Sequence, residues 1–496
     1  MKPERTFLNA YKWNLIGKWG LRFIGIFSTL ILVRLLSPED FGVVAIGLMV
    51  VGFFEVISSA GVTRYLILKE NVSEDEYNAA WTLNVFLKLF SVTLIMLLAG
   101  SIASYLDSPE VKHVIVVLSG LQILKAFKNV ELIRKEKEMD FSYINKIQIY
   151  AKLAAVSVTI PCAFYFQNYF ALIIGTLVNS VIECALSYVL CPRKPVFNFS
   201  IERKMISFSS FILLRNILSY TRSQIDIFII GDKYGSGATG KFKVARDFVL
   251  MPKTEIIDPA SQPLFVGVSR MAEDKLSAYS QRLLFYFVAV LTPFSFFFYF
   301  NSLEFVSVVF GQGWLDAERI VSLVGFLTIP LSLQSLFLML IDKRGYLKQS
   351  FSFDIIAILY LFTFIALFDP ATINEFVEGR IAVAFVSFVT ITLITVYLLK
   401  LHLLPLLTMI LAPASVVYLL SLLANKVSEL LPLNALLSMA VYTAVFCSLF
   451  LISGVALLVI AKKFPHNATL HALSSDISDV YEKLSKTVRS KIKSKN

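Results

Sequence analysis

Charged side chains are scarce in this sequence. Asp, Glu, Lys and Arg make up 16% of its 496 residues, whereas soluble globular domains contain about a quarter. Hydrophobic residues make up 57%, and the mean hydropathy is +0.72. This composition excludes an ordinary soluble domain. Because lipid offers no hydrogen-bond partner to bare backbone groups, each membrane-crossing segment should be an α-helix. The sequence therefore predicts an all-α, polytopic membrane protein.

Cysteine and histidine are also scarce, at four residues each. The cysteines form no CxxC pair and the histidines show no metal-ligand spacing, which predicts no metal site and no cofactor. No nucleophile, base and acid are arranged for catalysis, and the connections between apolar runs are short. The net charge of +11 comes mostly from loops and the C-terminal tail, not from a basic domain with interleaved aromatic residues. We therefore predict a protein that is not an enzyme and has no nucleic-acid partner.

Fourteen apolar runs come close to the ~20 residues that a helix needs to cross the hydrocarbon core. We place them at 15–34, 41–66, 81–104, 111–133, 144–166, 169–190, 207–231, 242–268, 279–300, 320–341, 351–368, 379–399, 403–424 and 435–461. The eighth contains Pro252, Pro259 and Pro263, which predicts a bent or broken helix. The sequence therefore predicts about 14 transmembrane helices.

Lysine and arginine are concentrated on alternate loops, for example at Arg134, Lys135 and Lys137. By the positive-inside rule these loops face the cytoplasm, which places both termini there. The tail at 464–496 combines apolar residues spaced by three or four with a terminal cluster of lysines. This pattern predicts an amphipathic basic helix on the cytoplasmic membrane face, with a partner-binding helix as the alternative.

A faint internal repeat relates two parts of the chain. Leu35–Gly47 can be aligned with Lys233–Ala245, at an offset of 198 residues (233 − 35), and each joins one predicted span to the next. The repeat predicts two pseudo-repeated six-helix bundles plus two C-terminal helices. The predicted domains are an N-terminal six-helix lobe at 1–200, a C-terminal six-helix lobe at 201–400, two additional transmembrane helices at 401–463 and the tail at 464–496. Transporters with such repeats bind substrate between them, near the membrane midplane.

Positively charged residues recur inside the predicted spans. A charge in hydrocarbon costs about 2.5–3.5 kcal/mol on insertion scales, so such residues usually face a protein interior or a water-filled cavity. We predict a cationic, substrate-binding cavity lined by Lys18, Arg22, Lys125, Lys128, Arg215, Arg222 and Lys253, with Lys88 as a further candidate. The alternative for the first four is snorkelling to the cytoplasmic interface, where Arg64 is also expected to lie.

Acidic residues in the spans are candidates for coupling to protons or sodium. Asp226 lies one turn from Arg222. It either neutralises that arginine in a salt bridge or releases it for an anion by taking up a proton. Asp258 and Glu55 are further coupling candidates, with packing through hydrogen bonds as the alternative.

One glycine-rich segment superficially resembles a nucleotide-binding loop. Gly235–Lys241 fits the pattern GxxxxGK, but Phe242 occupies the position of the Ser or Thr that would hold magnesium. A P-loop also needs a strand before it, whereas this segment follows a predicted membrane helix. We therefore predict a flexible turn and no nucleotide.

Four short motifs resemble those of a known family. They are Arg34–Gly42 (RLLSPEDFG), the stretch from Gly231 to Gly240, Pro263–Arg270 and Phe310–Trp314 (FGQGW). In order and spacing they resemble Wzx-type polysaccharide and O-antigen flippases, particularly the colanic-acid-exporter-like branch of the multidrug/oligosaccharidyl-lipid/polysaccharide exporter superfamily. The resemblance covers about residues 12–400. Gly267 stands where the family usually has a proline, which leaves the local bend open.

This resemblance implies a V-shaped pair of six-helix bundles and a flippase that works by alternating access. The implied substrate is an undecaprenyl-diphosphate-linked oligosaccharide, a precursor of O-antigen, capsule or exopolysaccharide. It would move from the cytoplasmic to the periplasmic leaflet of the bacterial inner membrane. The implied partners are this lipid-linked glycan and the bilayer, with a polysaccharide polymerase and a chain-length regulator as further candidates.

Three other functions stay open. A multidrug/cation antiporter of the same superfamily is disfavoured by a cationic cavity, because like charges repel. A lipid II flippase would share the mechanism and differ in substrate. A glycosyltransferase or polymerase of the same pathway would need a large loop for its catalytic residues.

Overall fold

The computed structural model describes residues 3–59, 62–138, 140–191, 193–200, 203–259, 273–431 and 433–463. Every regular element in these ranges is a helix, which confirms the all-α prediction. The first nine are α1 (Pro3–Leu35), α2 (Pro38–Ser58), α3 (Val62–Leu68), α4 (Glu74–Tyr105), α5 (Pro109–Ala126), α6 (Glu131–Lys137), α7 (Phe141–Phe166), α8 (Phe170–Leu190) and α9 (Arg203–Val249).

Eight further α-helices follow, with short π and 3₁₀ turns between some of them. They are α10 (Glu273–Phe300), α11 (Ser302–Phe305), α12 (Glu318–Val324), α13 (Thr328–Lys343), α14 (Leu347–Phe368), α15 (Ile373–Leu399), α16 (Leu403–Glu429) and α17 (Ala435–Lys463). The π turns are Lys253–Ile257 and Val306–Phe310, and the 3₁₀ turns are Gln312–Ala317 and Gly325–Leu327.

Ten helical stretches within the described ranges are long and apolar enough to cross a membrane. The helices α1, α5 and α9 lie at the first, fourth and seventh predicted spans but are not among these ten. The polytopic helical class is therefore confirmed, whereas the number of about 14 spans stays a prediction.

Two predicted spans end earlier than expected. The second stops at Ser58, before α3, and the fourth stops at Ala126, before α6. Asn129 accounts for the second break. Its side-chain amide donates to the carbonyl oxygens of Cys191 and Arg193 at 3.1 and 2.7 Å, and its side-chain oxygen accepts from the Glu131 amide at 2.9 Å. These hydrogen bonds hold the chain in a turn where the apolar pattern predicts a continuous helix.

The helix α9 is interrupted at Gly235, where φ is 79° and ψ is 179°. Essentially only glycine adopts this conformation. The chain is helical on both sides of the interruption, so the GxxxxGK segment lacks the preceding strand of a P-loop. The predicted break near Pro252 is also observed, because α9 ends at Val249 and a π turn follows at Lys253–Ile257. Pro263, Gly267 and the tail at 464–496 lie outside the described residues.

The chain divides into two compact units. The first contains Met1–Ala245, Val309–Ala317 and Pro370–Ile373, and the remaining chain forms the second. This grouping places most of α9 with the first unit, whereas the predicted lobe boundary lies at residue 200. The division into lobes stays a prediction.

Each unit has its own apolar core. In the first, buried residues of α2, α4, α5 and α8 meet around Ile95, Ile115 and Leu118, each less than 1% exposed. In the second, α10, α13, α14, α15 and α16 meet around Leu284, Phe337 and Phe353. These cores fix the helices that carry the polar residues described next.

Candidate functional site

The first unit contains a cavity of about 380 Å³. It lies where α2, α5 and α8 approach their C-terminal ends and α4 and α7 begin, which is the end predicted to face the cytoplasm. Its charged lining consists of Glu55, Lys88, Lys125, Lys128, Glu136 and Glu183. The amides of Asn84 and Asn129 also line it. The cavity therefore combines three amines with three carboxylates in an otherwise apolar bundle.

Two of the lysines are ion-paired across the cavity wall. The Lys125 amine on α5 lies 2.7 Å from a Glu55 carboxylate oxygen on α2. The Lys128 amine lies 3.0 Å from Glu183 on α8, whose other carboxylate oxygen accepts from Asn179 at 3.0 Å. These side chains are about one-quarter to two-fifths exposed, so each pair can exchange its partner for a solvated ion.

Lys88 is bound differently. Its side chain is 6% exposed, and its amine donates to the Gln122 side-chain oxygen at 3.2 Å. Gln122 is oriented by its own amide, which donates to the Val51 carbonyl oxygen at 3.2 Å. Because this acceptor is neutral, the contact with Gln122 does not cancel the Lys88 charge. Among the cavity lysines, it is the one most deeply placed in its helix.

Aromatic packing and an extended segment close the wall beside α4. The Trp81 ring, 6% exposed, packs against Phe197 with the ring centroids 4.9 Å apart. The segment at 193–200 runs along α4, where the Val196 and Asn198 amides donate to side-chain oxygens of Asn78 and Thr82 at 3.1 and 2.9 Å. These contacts position the first turns of α4, from which Asn84 and Lys88 project.

A cluster of ion pairs lies on the loop side of the same end. Glu74 accepts from Arg134 at 2.7 Å and is also paired with Arg193. The Arg134 guanidinium lies 4.5 Å from the centre of the Tyr77 ring. Burial raises the pKa of Glu131, although Arg134, with 3.5 Å between the charged atoms, opposes the shift. This cluster joins α4, α6 and the segment after α8 beside the cavity.

The predicted site residues do not all meet in this cavity. Lys125, Lys128 and Glu55 line it, as does the further candidate Lys88. On α1, Lys18 is exposed and Arg22 half-buried, and neither belongs to the lining. The roles of all the predicted residues stay predictions.

The other predicted residues lie on and beyond α9. Arg215 and Arg222 are half-buried on this helix, and Asp226 is 3% exposed. Lys253 and Asp258 bind each other at 2.9 Å in the second unit.

The sequence analysis did not single out two further charged residues inside the predicted spans, Glu183 and Lys152. Glu183 lies inside the sixth predicted span and Lys152 inside the fifth, so the rule that singled out Lys88 applies to both. The partner of Glu183 could not be read from the sequence, because Lys128 lies 55 residues earlier in the chain.

The sequence profile of a family described as "Polysaccharide biosynthesis protein" matches residues 31–319. All the cavity-lining residues fall within this range. The match supports the interpretation of the four motifs.

Two curated relatives match over similar lengths. The lipopolysaccharide biosynthesis protein WzxC of Escherichia coli is 22% identical over 333 residues, which cover 65% of this chain and 68% of that protein. The succinoglycan biosynthesis transport protein ExoT of Rhizobium meliloti is 23% identical over 328 residues, covering 64% of this chain and 66% of that protein. The match thus spans about two thirds of each relative.

A solved structure described as "Lipid II flippase MurJ, inward closed conformation" has a similar fold. Its TM-score is 0.70 at 13% identity, and the alignment covers 89% of this chain and 99% of that chain. At this identity the likeness concerns the fold alone.

Proposed function

Since the chain belongs to the polysaccharide biosynthesis protein family, we propose that it is a flippase for lipid-linked oligosaccharides. Its substrate would be an undecaprenyl-diphosphate-linked repeat unit of O-antigen, capsule or exopolysaccharide. The substrate would pass from the cytoplasmic to the periplasmic leaflet of the bacterial inner membrane. The observation that carries the proposal is the cavity with three lysines at the predicted cytoplasmic end of the family-matched region.

Such a protein provides a polar path for the headgroup across the membrane. Moving a diphosphate through bare hydrocarbon is prohibitive because its charges lose their hydration. Lys125 and Lys128 offer amines that are already held by carboxylates, so an incoming diphosphate competes with Glu55 and Glu183 for them. Several moderate contacts of this kind attract the headgroup without trapping it. The lipid tail stays in the bilayer, and alternating access completes the transfer without making or breaking a covalent bond.

Charge balance favours coupling to a cation, either a proton or sodium. The lining holds three lysines and three glutamates, which sum to zero when all are ionised. A diphosphate dianion makes this sum negative, and uptake of a proton or a sodium ion beside Glu55 or Glu183 opposes the change. Glu55 is therefore the first candidate for coupling, with Asp226 and Asp258 as the further sequence candidates. The polymerase and the chain-length regulator remain proposed partners.

Gene deletion with complementation tests this function. We expect deletion to abolish one surface polymer and to leave lipid-linked repeat units in the membrane. The double variant Lys125→Met/Lys128→Met should restore less than about a tenth of the polymer, since a hydrogen bond to a charged group contributes on the order of 1.5–3 kcal/mol. Lys112→Met is the matched control, because Lys112 is an exposed lysine on the same helix α5.

Two outcomes would overturn this assignment. Full polymer export by the double variant at wild-type protein level would remove the cavity from the mechanism. Loss of drug resistance on deletion, with every polymer unchanged, would favour the cation antiporter. Loss of peptidoglycan precursor export would instead assign lipid II as the substrate.

A further inference from the structure

Lys152 occupies the middle of α7. It lies 11 residues after Phe141 and 14 before Phe166, which places it roughly 16 and 21 Å from the two helix ends at 1.5 Å per residue. A lysine carries its charge on a four-carbon stem, which is too short to reach either end by snorkelling. A charge at this depth costs about 2.5–3.5 kcal/mol on insertion scales, so it normally has a specific role.

The helix α1 runs beside α7 at this point. Gly17 faces Asn145, and a Cβ atom at Gly25 would lie 3.9 Å from the Lys152 side-chain Cε. From the first pair to the second, the residue number rises on both helices, so α1 and α7 run parallel here. Arg22 lies three residues before Gly25 and shares its face of α1, and its charge acts on Lys152. Two cations thus approach each other across the α1–α7 contact.

No carboxylate of the described residues contacts the Lys152 amine. Among the residues that the structure describes, it makes no ion pair and no hydrogen bond. Glu183 acts on it electrostatically, but the Glu183 carboxylate is bound to Lys128 and Asn179. The half-buried amine of Lys152 therefore retains its capacity to donate hydrogen bonds to a ligand.

We propose that Lys152, beside Arg22, forms a second anion-binding position, outside the cavity lining. It would take an oxyanion of the transported molecule, either a phosphate or the carboxylate of an acidic sugar. This inference rests on the proposed function.

Binding measurements on the purified full-length chain test the proposal. We expect Lys152→Met to weaken binding of inorganic pyrophosphate or of glucuronate at least about tenfold, as expected for a lost hydrogen bond between charged groups. The probe that is affected identifies the source of the oxyanion. Lys152→Arg should retain binding within about twofold, because it keeps the positive charge. Lys146→Met is the matched control, since Lys146 is an exposed lysine on the same helix.

Amine labelling of the wild-type chain gives a second readout that no folding defect can disturb. Acetylation of Lys152, followed by mass spectrometry, should slow in the presence of the probe that binds. Unchanged binding of both probes by Lys152→Met, an equal loss in Lys146→Met, or unchanged labelling would each overturn the proposal. A deletion strain with normal polymers would overturn the flippase function but not this binding site, so the two failures are distinguishable.

Discussion

The three cavity lysines differ in what neutralises them. Lys125 and Lys128 each contact a carboxylate, whereas Lys88 contacts the neutral amide of Gln122. The sequence could indicate that these positions carry unusual charges, because lysines inside apolar runs are rare. It could not indicate their partners, since the Lys125–Glu55 pair joins residues 70 positions apart. Of the predicted cationic residues, Lys125, Lys128 and the further candidate Lys88 line this cavity, and the sequence was silent about how each one is held.

Glu55 should compete with an anionic ligand for Lys125. We expect Glu55→Gln to strengthen pyrophosphate binding about fivefold or more, on the scale of one charge-assisted hydrogen bond that no longer has to be broken. Isothermal titration of the purified chain checks this. Glu70→Gln serves as the control, because Glu70 is exposed and outside the lining. Unchanged or weaker binding by Glu55→Gln would contradict the competition.

Glu131 should make stability depend on pH. Burial raises its pKa, so the folded chain binds this proton more tightly than the unfolded chain. Its contribution therefore favours folding at low pH and is lost as the pH rises through the folded-state pKa. We expect Glu131→Gln to flatten the fall in melting temperature as the pH rises above the ordinary glutamate pKa of about 4.3. An unaltered pH profile of melting would show that the buried carboxylate has no such effect.

Helix crossings depend on glycine at one place in the first unit. A Cβ atom at Gly42 on α2 would collide with the backbone oxygen of Ser236, and one at Gly240 on α9 would collide with that of Pro38. The two helices therefore touch through their backbones. The apolar pattern predicted the helix that carries Gly42, whereas it predicted a flexible turn at Gly235–Lys241, where the chain is helical after Gly235. It did not predict this contact, because glycine in a helix has several other uses.

Adding a methyl group at this crossing should separate the helices. We expect Gly42→Ala to destabilise the protein by about 1–3 kcal/mol, as is typical of overpacking. Gly100→Ala on α4 is the control, because its added Cβ would meet nothing within 4 Å. Thermal unfolding of detergent-purified protein, monitored by size-exclusion chromatography, measures the difference. Equal melting temperatures for the two variants would show that the crossing can widen freely.

On the scale of the whole molecule, each compact unit is built from segments that are not consecutive in the chain. Val309–Ala317 and Pro370–Ile373 belong to the first unit although their flanking helices belong to the second. Trp314 packs edge-on against Phe41 with ring centroids 5.5 Å apart, and the Tyr234 hydroxyl donates to the Pro370 carbonyl oxygen at 2.7 Å. The motif FGQGW was recognisable in the sequence, but the contact of its Trp314 with Phe41 was not, because the two residues lie more than 200 positions apart.

Trp314 should therefore contribute to the stability of the fold through its contact with Phe41 on α2. Its side chain is 2% exposed, and truncating a buried aromatic residue typically costs about 3–5 kcal/mol. We expect Trp314→Ala to lower the melting temperature strongly, and Trp19→Ala, at a residue 40% exposed, to change it little. The same thermal unfolding assay compares them. Similar losses in both variants would contradict a specific role for this contact.

The glycine crossing also has a consequence for how the chain can diverge. Gly42 and Gly240 are 198 positions apart, as are Pro38 and Ser236. Gly42 lies against Ser236, and Gly240 lies against Pro38. Because both collisions involve main-chain oxygen, no side-chain change at the opposite position can relieve either one. A gene library randomised at both codons should thus return glycine at both.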